Sequence, residues 1–343
     1  LGDVYKRQAL EHGLSVVSAN KDLVALYGPD IIHKAIENHV NFSCEASVGG
    51  GIPILMPLHQ SLAANQIESI VGILNGTTNY ILSQMTETGV NYANALADAQ
   101  KQGFAEADPT NDVCGFDAAR KLAILSSIGF RANVTFDDVL VEGIEKIDKS
   151  DIQYAKDMGY TIKLLTVALR QENGIALNVY PAFLPDNHPL SSVKGAYNAI
   201  YVTGNIVDDV MFYGRGAGAL PTASAVMGDV ISTAQHILNG STGTGMIMTD
   251  TKRIPFYSSL KLQNSYYFRL DVDDVTGVLS QIAAAFAEND ISICEVVQKR
   301  KTKGLAELVL ITELASRESI LQVEKALQVL PCMRKVANVI RVM

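Results

Sequence analysis

Between residues 14 and 46 the hydrophobic pattern changes its period twice, and this restricts what the chain can become. Leu14–Ala19 is a short apolar run containing Val16 and Val17, which suits a buried strand. Ile31, Ile32, Ala35 and Ile36 then follow helical spacing, predicting a helix over Pro29–His39 with Pro29 in its first turn. Val40, Phe42, Cys44 and Ala46 alternate as a strand does. Two strands joined through a helix run parallel, because only a crossover returns the chain to the same end of the sheet. A nucleotide-binding sheet of this kind opens with a glycine-rich phosphate loop, and none precedes residue 14. Either the region is not a nucleotide domain or its opening is missing. Leu1 to Gln8 show no clear periodicity and join abruptly to a helix end at Ala9–Gly13. They read as a foreign junction or a broken gene start, with a divergent terminus as the alternative.

After the turn Gly49-Gly50-Gly51-Ile52-Pro53 the texture is mixed. An apolar helix reaches about Ala64, and Ile67–Leu74 reads as a strand ending at Asn75-Gly76-Thr77-Thr78-Asn79. Helices follow at Tyr80–Thr88 and Tyr92–Gln102, closed by Gly89 and Gly103, and Cys114–Ile128 is a strongly apolar helix behind the polar loop Ala107–Asp112. Ile162–Arg170 and Ile175–Phe183 flank Glu172-Asn173-Gly174, a hairpin signal. Strands at Tyr197–Thr203 and Val210–Tyr213 precede Gly214-Arg215-Gly216-Ala217-Gly218 and a helix from about Pro221 to Leu238. The last 80 or so residues read as a separate unit: strand 266–272, helix 276–288, strand 291–298, a basic turn Lys299–Gly304, strand 305–312, helix 316–330 and strand 334–342. This βαββαβ order suits a ferredoxin-like sandwich. At 343 residues the chain is long enough for two or three domains.

Composition excludes several classes. A net charge of -8 repels phosphate backbones, so nucleic acid is not expected as a partner. No apolar run is long enough to span a bilayer, so no membrane is expected either. The four cysteines form no CxxC pair and the six histidines no metal-binding pair, which reads as a cytoplasmic protein with reduced thiols and no zinc.

The stretch Glu106–Lys121 concentrates the chemistry. Asp117 and Lys121 are four residues apart and share a helix face. Such a pair is ordinarily a solvated ion pair. Here Phe116, Ala118, Ala119, Leu122, Ala123 and Ile124 surround it, which predicts burial, and buried charges concentrate at functional sites. Glu106, Asp108 and Asp112 add carboxylates to the loop before this helix. Acids around one lysine suit recognition of an ammonium and proton transfer at a nearby oxygen.

The segments Ala19-Asn20-Lys21, Glu45–Pro53, Gly72–Tyr80 and Glu106–Lys121, in this order and spacing, resemble the signature segments of homoserine dehydrogenases. The C-terminal unit resembles an ACT domain. The resemblance implies an α/β architecture in three parts. The C-terminal part of a Rossmann-type parallel sheet would occupy residues 1–45, and an α+β catalytic domain with a mixed sheet residues 46–240. A linker, 241–261, would lead to the ACT domain, 262–343. It implies oxidation of L-homoserine to L-aspartate 4-semialdehyde, or the reverse reduction, with NAD or NADP. Lys121 would exchange the hydroxyl proton, and Asp117 would hold Lys121 and order a water. Glu106 and Asp112 would bind the substrate, and Lys21 would lie near both the nicotinamide and the substrate. Gly216 and Gly218 would lie beside the cofactor. The turn at Glu45, Val48, Gly50 and Ile52 would bind a monovalent cation, sodium or potassium, largely through main-chain oxygens; from the glycines alone it is a plain tight turn. The ACT unit would bind threonine near Asp273–Leu279 and Asn289–Ile293, in a homodimer or homotetramer.

Without a phosphate loop this literal chain is expected to hold the dinucleotide weakly and to be inactive. Two other readings compete. A hydroxy-acid dehydrogenase bearing an ACT unit would need a catalytic histidine in a different motif, which is not seen. A non-catalytic amino-acid sensor fits the missing loop, but not the complete Glu106–Lys121 constellation.

Overall fold

The computed structural model describes residues 2–244, 253–302 and 304–343. Helix α1 (Gly2–Glu11) takes in residues 2–8, for which the sequence predicted no element. It is pinned by Leu10, fully buried, and by Arg7, which reaches Asp30 at 3.6 Å. Strands β1 (Val16–Val17) and β2 (Phe42–Ser43) pair in parallel as expected, but each is only two residues long. Between them α2 (Lys21–Glu37) starts eight residues before the predicted helix. The cause is Asn20, whose side chain accepts the Leu23 N–H at 3.1 Å and caps the first turn. Pro29 therefore lies inside the helix, where it removes one backbone donor, rather than at its start. The burial of Leu23, Val24, Ile31, Ile32 and Ala35 offsets that loss.

The predicted apolar helix after Pro53 is reduced to a short, wide helical turn at Pro57–Ser61. Then come β3 (Ile67–Ile73), α3 (Gly76–Thr88), α4 (Tyr92–Lys101), α5 (Thr110–Val113) and α6 (Phe116–Gly129). Asn75 and Asn91 cap α3 and α4 by accepting the N–H groups of Thr78 and Asn94. Gly89 and Gly103 end the two helices in the left-handed region, as their positions predict. The next elements are β4 (Leu140–Val141), α7 (Lys149–Asp157), β5 (Tyr160–Gln171), β6 (Gly174–Pro185), β7 (Tyr197–Gly204), β8 (Asp208–Arg215) and α8 (Ala219–Leu238). β5 and β6 form the predicted hairpin, in register from Tyr160↔Pro185 to Gln171↔Gly174. Of the linker, residues 245–252 lie outside the described residues. Phe256 bridges to Ile175, and the backbone at Pro255 passes so close to Gly174 that any Cβ there would clash.

The C-terminal unit has the predicted order: β9 (Gln263–Asp273), α9 (Val278–Ala287), β10 (Ile293–Thr302), β11 (Leu305–Thr312), β12 (Ala315–Ser316), α10 (Arg317–Gln328) and β13 (Met333–Val342). β10 runs on through most of the expected basic turn; Lys303 lies outside the described residues. The unit is not separate from the rest. β13 pairs antiparallel with β9 on one side and in parallel with β6 on the other, through Arg341↔Ala182 and Val342↔Phe183. One sheet thus runs β10-β11-β9-β13-β6-β5-β3-β7-β8.

Two polar joints hold the seam. Arg341 makes paired bonds of 2.9 Å to Glu142 and lies 4.2 Å from the Tyr180 ring centroid. Arg269 on β9 donates to Asp151 of α7 at 2.8 Å and contacts Asp148 and Glu307. Among the described residues no helix is long and apolar enough to cross a membrane.

Candidate active site

The site forms where β3 runs into α3 and α6 packs beneath that junction. Gly115, at φ +84, turns the chain into α6 so that Asp117 and Lys121 project from its first turns. Lys121 Nζ donates to Asp117 Oδ2 at 2.7 Å and to the Leu74 carbonyl, at the end of β3, at 2.9 Å. Lys21, the first residue of α2, reaches Asp117 Oδ1 at 3.2 Å. Asp117 is thus held between two ammonium groups from different elements.

Sequence reasoning missed Asn75. Its Nδ2 donates to Asp112 at 2.7 Å and to Asp117 at 3.0 Å, while its Oδ1 caps α3. The signal was available, since an asparagine between a strand and a helix is a natural cap. That its other end would face two acids could not be read from spacing.

Asp117, Lys21 and Asp112 open on a cavity of about 300 Å³, lined also by Glu106, Asp108 and Arg120 among others. Glu106 and Asp108 are exposed on its rim; Asp112 is half-buried. Arg120 spans the opening, 3.4 Å from Asp22 and 3.3 Å from Asn111. Of the five residues predicted from Glu106–Lys121 and Ala19–Lys21 as catalytic or substrate-binding, Lys21, Glu106, Asp112 and Asp117 line this cavity, and Lys121 stands behind Asp117 at 2.7 Å.

The two inner carboxylates are driven apart. Burial pushes Asp117 up, but the Lys121 ion pair and hydrogen bond, Asn75 and Lys21 together hold it below the ordinary aspartate range. Burial raises Asp112 above that range, with Asn75 opposing and the Asp117 charge adding to the rise. One acid held toward its ionised form beside a lysine, and a second raised toward its protonated form, is an arrangement suited to moving a proton to or from a bound oxygen.

The predicted cation and cofactor glycines lie elsewhere. The Glu45 carboxylate accepts the N–H groups of Ile54, Leu55 and Met56 at 2.6 to 2.9 Å, so its side chain is already committed. Only carbonyl oxygens of this turn could serve a cation. Val48, Gly50 and Ile52 are buried, and among the described residues no hydrogen bond to their carbonyls is found. This fits a site built from main-chain oxygens. Gly50, at φ +55, packs on Gly216, where a Cβ would meet the Gly216 carbonyl oxygen at 2.5 Å. Gly216 in turn lies against Asn198, and Gly218 opens α8. Neither glycine lines the Asp117 cavity. Asp229 of α8 accepts the Glu45 N–H at 2.9 Å; burial, helped by the Glu45 charge, pushes it up to about 6.

The homoserine dehydrogenase family model matches residues 53–231, and the ACT domain model residues 266–332. Together they cover the candidate site except Lys21, and the C-terminal unit as far as residue 332, short of β13. The chain belongs to the homoserine dehydrogenase family. The homoserine dehydrogenase of Mycobacterium tuberculosis is 44% identical over 343 residues, covering 97% of this chain and 77% of that protein. That of Bacillus subtilis is 40% identical, over 98% of this chain and 78% of that one. The crystal structure of a homoserine dehydrogenase from Thiobacillus denitrificans superposes with a TM-score of 0.92 at 37% identity, covering 98% of this chain and 78% of that one. A hyperthermophilic archaeal homoserine dehydrogenase mutant in complex with NADPH matches at a TM-score of 0.59 and 28% identity, over 68% of each chain. As a homoserine dehydrogenase the chain is an oxidoreductase of the NAD(P)-using kind, with a C-terminal ACT domain of a type that is commonly regulatory.

Proposed function

We propose that this homoserine dehydrogenase interconverts L-homoserine and L-aspartate 4-semialdehyde with NADP or NAD, in the cytoplasmic synthesis of threonine, methionine and isoleucine. The observation that carries the reading is the Lys121–Asp117–Lys21 cluster, whose Asp117 and Lys21 line a cavity rimmed by acids. The nicotinamide supplies or accepts the hydride. Lys121 takes the hydroxyl proton during oxidation and returns it during reduction. Asp117 fixes Lys121 and orders a water, while Glu106 and Asp112 bind the substrate ammonium. Lys21 sits between substrate and nicotinamide, and Gly216 and Gly218 lie toward the cofactor. Carbonyls of Glu45, Val48, Gly50 and Ile52 hold a sodium or potassium ion. We keep the division at residues 45, 240 and 261 as part of this proposal.

The test is homoserine-dependent formation of reduced nicotinamide. The assay is run at millimolar cofactor, so that weak dinucleotide binding does not mask turnover. Activity with L-homoserine that exceeds that with L-serine or L-malate, and a raised Michaelis constant in Glu106→Ala, support the reading. Equal rates with the three compounds would overturn it.

We further propose that threonine inhibits through the ACT domain, whose subunits pair within a homodimer or homotetramer. Its site lies where Gly277, at φ +90, opens α9 and where Asn289 and Asp290 close it. Deleting residues 262–343 would strip β13 from β6, so substitution is the cleaner test. Asn289→Ala should weaken threonine inhibition while leaving uninhibited turnover intact. Inhibition unchanged in Asn289→Ala would move the site elsewhere.

A further inference from the structure

A cavity of about 380 Å³ lies at the far end of α6 from Asp117. Its walls are the segment leading into β3, the last residue of α6 with the two that follow, Arg170 of β5, and Asn205 in the turn between β7 and β8. Twelve residues of helix separate Gly129 in its wall from Asp117, about 18 Å at the usual rise, so this cavity is not part of the candidate active site. We propose that it binds a phosphate group, as inorganic phosphate or as a phosphate monoester.

The chain as a whole is acidic, yet this lining holds two arginines, Arg131 and Arg170, and no carboxylate. Glu68, next along β3, and Asp208 and Asp209, beyond the turn, stand outside it. Each guanidinium is anchored by one backbone carbonyl. Arg131 Nη2 donates to Ala63 at 3.0 Å, and Arg170 Nε donates to Ile67 at 2.9 Å. Among the described residues neither arginine forms an ion pair, and both Nη groups of Arg170 are without a partner. Arg170 lies 5.1 Å from the Phe130 ring centroid. Burial pulls its guanidinium below the ordinary arginine value, with no neighbouring carboxylate to oppose the shift. A partly desolvated cation without a counter-charge is costly, and a bound anion removes that cost.

A cation just past a helix end is ordinarily explained by the helix dipole. That explanation covers Arg131 but not Arg170, which comes from a strand. The carbonyls of Ser126, Ser127 and Ile128 at the end of α6 are moreover taken by the N–H groups of Phe130, Ala132 and Arg131. Arg131 sits at φ +53, a backbone conformation that favours glycine, so its side chain is held here against a local preference. Asn205 adds a neutral donor. Its Oδ1 accepts the Gln66 N–H at 2.7 Å, which leaves its Nδ2 without a partner among the described residues. Donors thus reach the cavity from three separate segments. Guanidinium forks match phosphate oxygens in pairs, and a tetrahedral oxyanion accepts from several directions, whereas a carboxylate offers two oxygens in one plane.

The full chain is titrated calorimetrically, in a buffer free of phosphate, with inorganic phosphate, glycerol 3-phosphate and succinate. Phosphate or the monoester should bind, and succinate, a dianion with flat carboxylates, should bind more weakly. Stronger binding of phosphate would name the free ion as the ligand, and stronger binding of the monoester a phosphorylated metabolite; either supports the site. Arg131→Ala and Arg170→Ala should each weaken binding at least about tenfold, the effect of losing one charge-assisted bond. Arg131 is exposed, so Arg131→Ala tests the proposal even if Arg170→Ala fails to fold. Arg120→Ala, in the wall of the Asp117 cavity, should leave binding unchanged. No binding by either phosphate compound would overturn the proposal, as would succinate binding as tightly as both. Binding indifferent to Arg131→Ala would overturn it too, and loss in Arg120→Ala would do so by assigning the phosphate to the Asp117 cavity.

Discussion

The buried charge clusters around Asp151 and around Asp117 are built on opposite plans. Around Asp151 the inner groups are enclosed, and only Asp148 stands at the exposed edge. Asp151, fully buried, accepts from Arg269, Tyr267, Asn338 and the Asp148 N–H. Arg269 spreads its donors over three carboxylates, and Tyr154 closes the far side by donating to Glu307 at 2.9 Å. Around Asp117 the inner half is equally well bonded, but Lys21, Asp112 and Asp117 still line a cavity. A buried charge whose partners are all protein locks an interface, whereas one that keeps a face toward a cavity can act on a ligand. Burial alone does not tell the two apart; the direction in which the cluster is open does.

The largest effect that sharpens this contrast is expected at Lys121. Lys121→Ala should lower turnover about 100- to 10,000-fold, as loss of a general acid–base group does. Stability should change little by comparison, because Lys21 and Asn75 still hold Asp117. Steady-state rates together with a thermal melt measure both. Near-normal turnover would remove Lys121 from the chemistry.

Asp151→Ala should do the reverse. It leaves Arg269 buried beside incomplete partners and should cost about 3–5 kcal/mol of stability, while the folded fraction keeps its Michaelis constant for homoserine. A denaturant titration reads this. If Asp151→Ala and Lys121→Ala destabilised equally, the distinction between the closed and open clusters would fail.

The smallest effect concerns Asp229, which belongs to neither cluster. Its carboxyl is raised from the ordinary 3.8 to about 6, chiefly by burial. The folded state therefore binds more protons than the unfolded one between these values, and stability falls as pH rises through that window. Asp229→Asn should stabilise the protein by about 1–3 kcal/mol above pH 6, with the gain vanishing below pH 4. Melts across this range that ran parallel for the two proteins would assign the raised carboxyl no part in stability.

Local chemistry was well written in the sequence. The Asp117–Lys121 spacing and its apolar surroundings announced a buried pair, and Gly89 and Gly103 announced the helix ends. The βαββαβ order survived intact, with β12 as a small addition. Errors arose where a cap outweighed a pattern. Asn20 caps α2 at Lys21, whereas the apolar spacing alone points to a start at Pro29. What the sequence could not carry was contact between distant segments. Nothing in the run Met333–Val342 says that one edge of it will pair with β6, and nothing near Asp151 names Arg269, 118 residues away, as its partner. The role of Asn75 is of the same kind, because its cap is local and its acids are not.

The position of β13 also bears on how the protein is made. Lying between β9 and β6, it joins the two halves of the sheet, yet it is made after both of them. Until residues 333–342 leave the ribosome, β9 lacks its partner along one edge and the Ala182–Phe183 end of β6 lacks its own, and open edges of this sort capture strands from neighbouring molecules. The nascent protein is thus exposed to aggregation until β13 is made, and an early stop near residue 333 should leave β9 and β6 unjoined.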